Sequence, residues 1–169
     1  MIFAILRHTP VWVWTLLAGL VALGLYQARD REMTLMRVTI LPLVLTALSF
    51  SGVINAFGVF PMALGGWLAG VGMALTIGRY FVVSRAARWS AETGRVHVPG
   101  SWLPLVLILG LFCIKYYAGV TLAMTPAAAH HASFAGLCGL AYGSFSGLFL
   151  ARAIGLRSLA ARAAAPRAA

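Results

Sequence analysis

The sequence predicts an all-α membrane protein, a polytopic bundle of five transmembrane helices. Only 9% of the 169 residues are charged and 62% are hydrophobic, whereas a soluble domain carries about 25% charged residues. Five apolar runs approach or exceed the roughly 20 residues that a helix needs to cross the hydrocarbon core. The arginines collect at the ends of these runs, where side chains meet lipid headgroups.

The five runs predict the spans of a single transmembrane domain over residues 1–155. The first span is short and begins after Thr9, a residue type typical of N-caps, with Pro10 at the first helical position. Residues 156–169 are expected to form a basic, flexible cytoplasmic tail. The spans lie at approximately 10–26, 38–57, 60–83, 102–124 and 132–155.

Basic residues predict the direction of these spans. One side carries Arg7 alone, while the other carries Arg29, Arg31, Arg37, Arg79, Arg85, Arg88, Arg95, Arg152, Arg157, Arg162 and Arg167. The positive-inside rule therefore places the N-terminus outside and the C-terminus in the cytoplasm. The longest cytoplasmic connection is 84–100, and its first half is expected to prolong the third helix. The arginines are suited to contact with anionic headgroups. The sequence shows no pattern of interleaved aromatic and basic residues of the kind that lines a nucleic-acid-binding groove.

Two pairs of spans predict an internal repeat. The pentapeptide "LPLVL" occurs at 41–45 and again at 103–107. The third and fifth spans carry small residues at every fourth position, which let two backbones approach closely. We interpret the chain as one leading helix followed by two parallel-repeated hairpins, although chance similarity between Leu-rich helices remains the alternative. A glycine face could also serve a homodimer or a partner membrane subunit. The small residues are Gly66, Gly70, Ala74, Gly78, Gly139, Gly143 and Gly147.

Lys115 is the only lysine of the chain and lies inside the fourth span. A charge at that depth costs at least ~2.5 kcal/mol, so an ammonium group there normally has a partner. The three carboxylates, Asp30, Glu32 and Glu92, all fall in predicted cytoplasmic loops. Three interpretations follow: a neutral lysine, a charged lysine whose counter-ion is a ligand, or a lysine that faces a backbone carbonyl or water and only fixes helix register.

The ligand interpretation predicts a polar site near the middle of the membrane. It corresponds to a permease, channel or binding protein for an ion or a small anionic or carbonyl-bearing molecule. The competing class is a non-transporting accessory or scaffold subunit, in which Lys115 and the glycine faces pack against a partner helix. The candidate neighbours of Lys115 are Tyr142, Ser144, Tyr116, Asn55 and Ser51.

Histidines offer a third possibility at the outer face. His8, His130 and His131 would lie near one membrane surface, where imidazoles could bind haem iron or another metal. They show no fixed ligand spacing, so a solvated pair in a loop is the competing interpretation. No catalytic motif occurs, and no carboxylate lies within a span for proton transfer, so an enzyme is the least favoured class.

Three motifs, "RHTPVWVW", "LYQARDRE" and "PGSWLPLVL", occur at the start of the chain, after the first span and before the fourth. With these motifs the chain resembles a family of small bacterial multi-pass inner-membrane proteins of unknown function. The resemblance covers the whole chain. It implies a bacterial inner-membrane location and assigns no residues.

The predicted topology has a direct test. Reporter fusions at residues 30, 92 and 165 should all report the cytoplasm, because the arginine-rich side of a membrane protein is cytoplasmic. A periplasmic signal at residue 92 would contradict both the topology and the repeat.

Overall fold

The computed structural model describes residues 10–81, 88–90, 95–98 and 100–164. Most of these residues are helical, which confirms the all-α fold class. Four helices are long and apolar enough to cross a membrane, and the first is a shorter apolar helix of 17 residues. The helices are α1 (Val11–Gln27), α2 (Leu35–Phe57), α3 (Pro61–Phe81), α4 (Leu103–Met124) and α5 (Ala132–Ala164), with a 3-10 helix at Pro126–His130 before α5.

A small antiparallel sheet, which the helical pattern did not predict, covers one end of the bundle. Its strands lie in the order β1–β3–β2, and we call this the sheet end; the opposite end, with the 3-10 helix, is the loop end. Residues 88–90 form a strand, so the expectation that the first half of 84–100 prolongs α3 was wrong for them. The strands are β1 (Arg31–Thr34), β2 (Arg88–Ser90) and β3 (Arg95–Val98).

The sheet ties together the connections that precede α2 and α4. The Gly100 amide donates a hydrogen bond to Asp30 Oδ1 at 2.6 Å. An exposed ion pair joins Arg95 to Glu32 at 3.4 Å. Both described carboxylates are therefore at the sheet end, outside the apolar part of the bundle.

Helix α5 is longer than the sequence predicted. It continues past the expected end at residue 155 to Ala164, because Leu156 and Ala160 pack in a buried cluster with Val98 of the sheet. Residues 156–164 of the expected flexible tail are thus helical. The last five residues of that tail lie outside the described residues.

Helices α3 and α5 make the most extensive helix contact of the described bundle. A Cβ built on Gly143 would overlap the Trp67 carbonyl oxygen, and one built on Gly70 would overlap that of Leu140. Van der Waals contact is a main source of helix association in lipid, and glycines allow the closest approach. Gly78 is buried farther along α3. The predicted small residues in the contact are Gly66, Gly70, Ala74, Gly139, Gly143 and Gly147.

The remaining helices are arranged without the predicted symmetry. Helix α2 packs against α5, whereas α4 has its largest helix contact with α1. In two hairpins related by a pseudo-twofold, α4 would pack against α3 as α2 packs against α5. The repeat arrangement is therefore not confirmed. The pair of α1 and α4 instead flanks the unit formed by α2, α3 and α5.

A single methyl group should test the α3–α5 contact. We expect Gly143→Ala to lower the melting temperature of the detergent-solubilised protein, because overpacking of this kind costs about 1–3 kcal/mol. Gly136→Ala on the same helix is the matched control, since its Cβ would lie 3.6 Å from the nearest atom. Equal melting temperatures for the two variants would contradict the contact.

Candidate functional site

Helix α4 places Lys115 near the middle of the predicted membrane. Lys115 lies twelve residues after Leu103 and nine before Met124, or about 18 Å and about 14 Å along the helix axis. The hydrocarbon core is about 30 Å thick. The ammonium group is therefore far from both headgroup layers.

The Lys115 ammonium lies where α2, α4 and α5 meet. Its Nζ is 5.4 Å from the centre of the Tyr142 ring, a distance at which a cation interacts with a π face. A Cβ built on Gly52 would lie 2.9 Å from the same Nζ, so glycine at this position makes room for the lysine. Within residues 10–81 and 100–164, Lys115 makes no hydrogen bond or ion pair.

The predicted neighbours of Lys115 divide into two groups. Tyr142 and Tyr116 lie close to it: Tyr142 beneath the ammonium, and Tyr116 along the same cavity wall. The Ser144 hydroxyl instead donates to the Leu140 carbonyl, and its backbone faces α3 at Gly70. Ser51 and Asn55 are exposed and do not line the cavity.

A buried hydrogen-bond network holds Tyr142 in place. Ser49 Oγ donates to the Tyr142 carbonyl oxygen at 3.2 Å and accepts from Trp67 Nε1 at 3.3 Å. Ser146 Oγ donates to the same carbonyl at 3.0 Å. The network joins α2, α3 and α5 at the Tyr142 carbonyl, so all three helices hold the backbone from which the ring under the ammonium projects. Sequence reasoning missed Gly52 and Trp67; buried serines within apolar runs were the only available signal.

A cavity of about 930 Å³ opens between α1 and α4 on one side and α2 and α5 on the other. Along α4 it reaches from Ile108 to Met124, which is about 24 Å at 1.5 Å per residue. Its walls are almost entirely carbon, and Lys115 is the one charged side chain among the described lining residues. The apolar wall includes Trp12, Leu16, Leu45, Phe112, Val120 and Phe149.

The histidines are placed at the loop end. His130 and His131 are both exposed, and His8 lies outside the described residues. Across the described part of the chain, no three His, Cys, Asp or Glu side chains are grouped as metal ligands. Within the described residues, the structure therefore places no third metal-ligating side chain with His130 and His131.

Exposed arginines surround the sheet end. They provide guanidinium groups on the side of the bundle where each of the five helices begins or ends. A surface of this kind is suited to anionic headgroups. The exposed arginines of the described residues include Arg29, Arg37, Arg95, Arg157 and Arg162.

Comparison with known proteins places the chain in a family without identifying a reaction. No curated protein and no solved structure matches it. One family model, described as "Family of unknown function (DUF6622)", matches residues 1–167. This match confirms the resemblance to a family of unknown function, and the chain belongs to that family.

Proposed function

We propose that this chain is a multi-pass protein of the bacterial inner membrane that binds an amphipathic molecule in the cavity along α4. The anionic end of the molecule contacts Lys115, and its apolar body lies against the cavity wall. The observation that carries the proposal is a single ammonium group in a carbon-lined cavity.

The energetics of Lys115 support an anionic ligand. A charge at this depth costs at least ~2.5 kcal/mol. The π face of Tyr142 returns about 0.5–2 kcal/mol, and no described carboxylate is near. A ligand oxygen that accepts a hydrogen bond from the ammonium would contribute a further ~1.5–3 kcal/mol. The site is therefore stabilised most by a ligand that carries the missing acceptor.

The arginines support the proposed orientation. If the sheet end is cytoplasmic, the exposed arginines contact anionic headgroups of the inner leaflet. The N-terminus is then outside and the C-terminus inside. Trp12 and Met124, which are both exposed, line the cavity at the loop end, which is then the outer face.

The accessory-subunit class is less well supported. It predicts that the glycine faces pack against a partner helix, but Gly66, Gly70, Gly139 and Gly143 pack within the chain, and the open glycines of α3, Gly65 and Gly72, are not part of the predicted face. Another route for this class is a partner helix that enters the cavity and places a carboxylate opposite Lys115. Such a partner would exclude a small amphiphile from the same space.

A brominated amphiphile tests the binding proposal. Bromine quenches tryptophan on contact, and Trp12 lines the cavity. In nanodiscs, dibromostearate should quench wild-type fluorescence, and Lys115→Met should weaken this binding by about tenfold or more, because a hydrogen bond to a charged group is lost. The same variant should melt at a higher temperature, since an uncompensated charge has been removed.

Two controls define the result. The methyl ester of dibromostearate should quench the wild type and Lys115→Met equally. Trp12→Phe should reduce the quenching to the background from the other exposed tryptophans, Trp14 and Trp102. If Lys115→Met binds the carboxylate as tightly as the wild type does, Lys115 is not the anchor. If neither probe quenches Trp12 above the level in Trp12→Phe, the cavity is occupied by protein.

A further inference from the structure

A second, smaller pocket lies at the sheet end of the bundle. Its volume is about 40 Å³, room for a few water molecules at ~10–15 Å³ each. The ends of α1, α2, α4 and α5 surround it, and its polar groups are Gln27, Arg37 and Arg152. A pocket of this size accommodates a charged group but not an alkyl chain.

Phe149 is the wall that this pocket shares with the cavity. It lines both spaces, is only 9% exposed and precedes Arg152 by one helical turn. This aromatic side chain therefore borders both the carbon-lined space around Lys115 and the pocket that holds the guanidinium groups at the sheet end.

The two spaces lie at different depths of the bundle. Arg152 is twenty residues along α5 from Ala132, or about 30 Å, which is the full thickness of the hydrocarbon core. Lys115 is near the midplane. Cationic groups are thus present in the middle of the bundle and at its sheet end, with Phe149 between them.

We propose that the pocket at Arg37 and Arg152 is a second binding site for the anionic group of the molecule that Lys115 binds. Guanidinium groups bind carboxylates and phosphates through paired hydrogen bonds. Rotation of Phe149 joins the two sites, and the charged group then passes between the midplane and the sheet-end headgroups while the chain stays in the cavity. This inference rests on the proposed binding function and extends it to transbilayer movement.

The test follows a lipid that does not cross bilayers unaided. The full chain is reconstituted in phosphatidylcholine vesicles with a trace of a monoacyl phosphate lipid that carries a dithionite-sensitive dye on its chain. We expect Phe149→Ala to raise the rate of dye loss from the inner leaflet by about tenfold, the change that ~1.4 kcal/mol of barrier produces. Arg37→Gln combined with Arg152→Gln should reduce the rate to that of protein-free vesicles.

Matched controls make the result specific. The corresponding monoacyl phosphocholine lipid should respond to neither change, and Phe149→Leu replaces Phe149→Ala if the alanine variant does not fold. Equal acceleration of both lipids, or no acceleration, would overturn the proposal. If inorganic phosphate binds the arginine pocket while the monoacyl phosphate lipid is not transported, the pocket takes a free anion from water and the proposal is overturned. If dibromostearate binding still depends on Lys115 while the arginine variant transports normally, only this inference fails.

Discussion

Backbone contact between α3 and α5 is the constraint on which the rest of the structure depends. Lipid provides no hydrophobic force between helices, so close packing must hold them together. Glycine at 143 brings the Trp67 backbone against α5, and the Trp67 indole then reaches Ser49 on α2. Ser49 in turn donates to the Tyr142 carbonyl. The backbone segment that carries the Tyr142 ring is thus connected to the glycine contact through Trp67 and Ser49.

The cavity lies beside this packed unit, because two of the five helices are not part of it. Helices α2, α3 and α5 form one packed unit, and α1 and α4 pair with each other beside it. The gap between the two groups becomes the carbon-lined space. Lys115 projects from the paired helix toward the packed unit, where Gly52 leaves room for its ammonium. A lysine at this depth is costly to the folded protein, and that cost is understandable if the missing acceptor arrives with a ligand.

Much of the fold could be predicted from sequence because lipid imposes simple rules. The length of the apolar runs indicated the helices. Small residues at every fourth position from Gly66 to Gly78 indicated a close helix contact. Lys115 was identifiable as an isolated charge. Each of these signals lies within one continuous helical segment, so it can be recognised from a single sequence.

Other features depend on contacts between distant segments and could not be read in this way. The strands in 88–98 are three and four residues long, and their pairing with β1 is not encoded in a local period. The end of α5 depends on Val98, which is far away in sequence. Ser144 was expected at the site because of its depth, but helix rotation turns it toward α3. The repeat prediction rested on local sequence similarity, and the arrangement does not confirm it, because α4 packs mainly against α1 and not against α3.

The most direct test of a ligand-accessible cationic site uses the fact that Lys115 is the only lysine of the chain. In nanodiscs, a lipid-soluble acylating reagent should modify this lysine, and peptide mapping distinguishes it from the N-terminal amine. Stearate should slow the modification, whereas methyl stearate should not, because only the carboxylate pairs with the ammonium. An unreactive Lys115, or equal protection by the acid and its ester, would contradict a ligand-accessible cationic site.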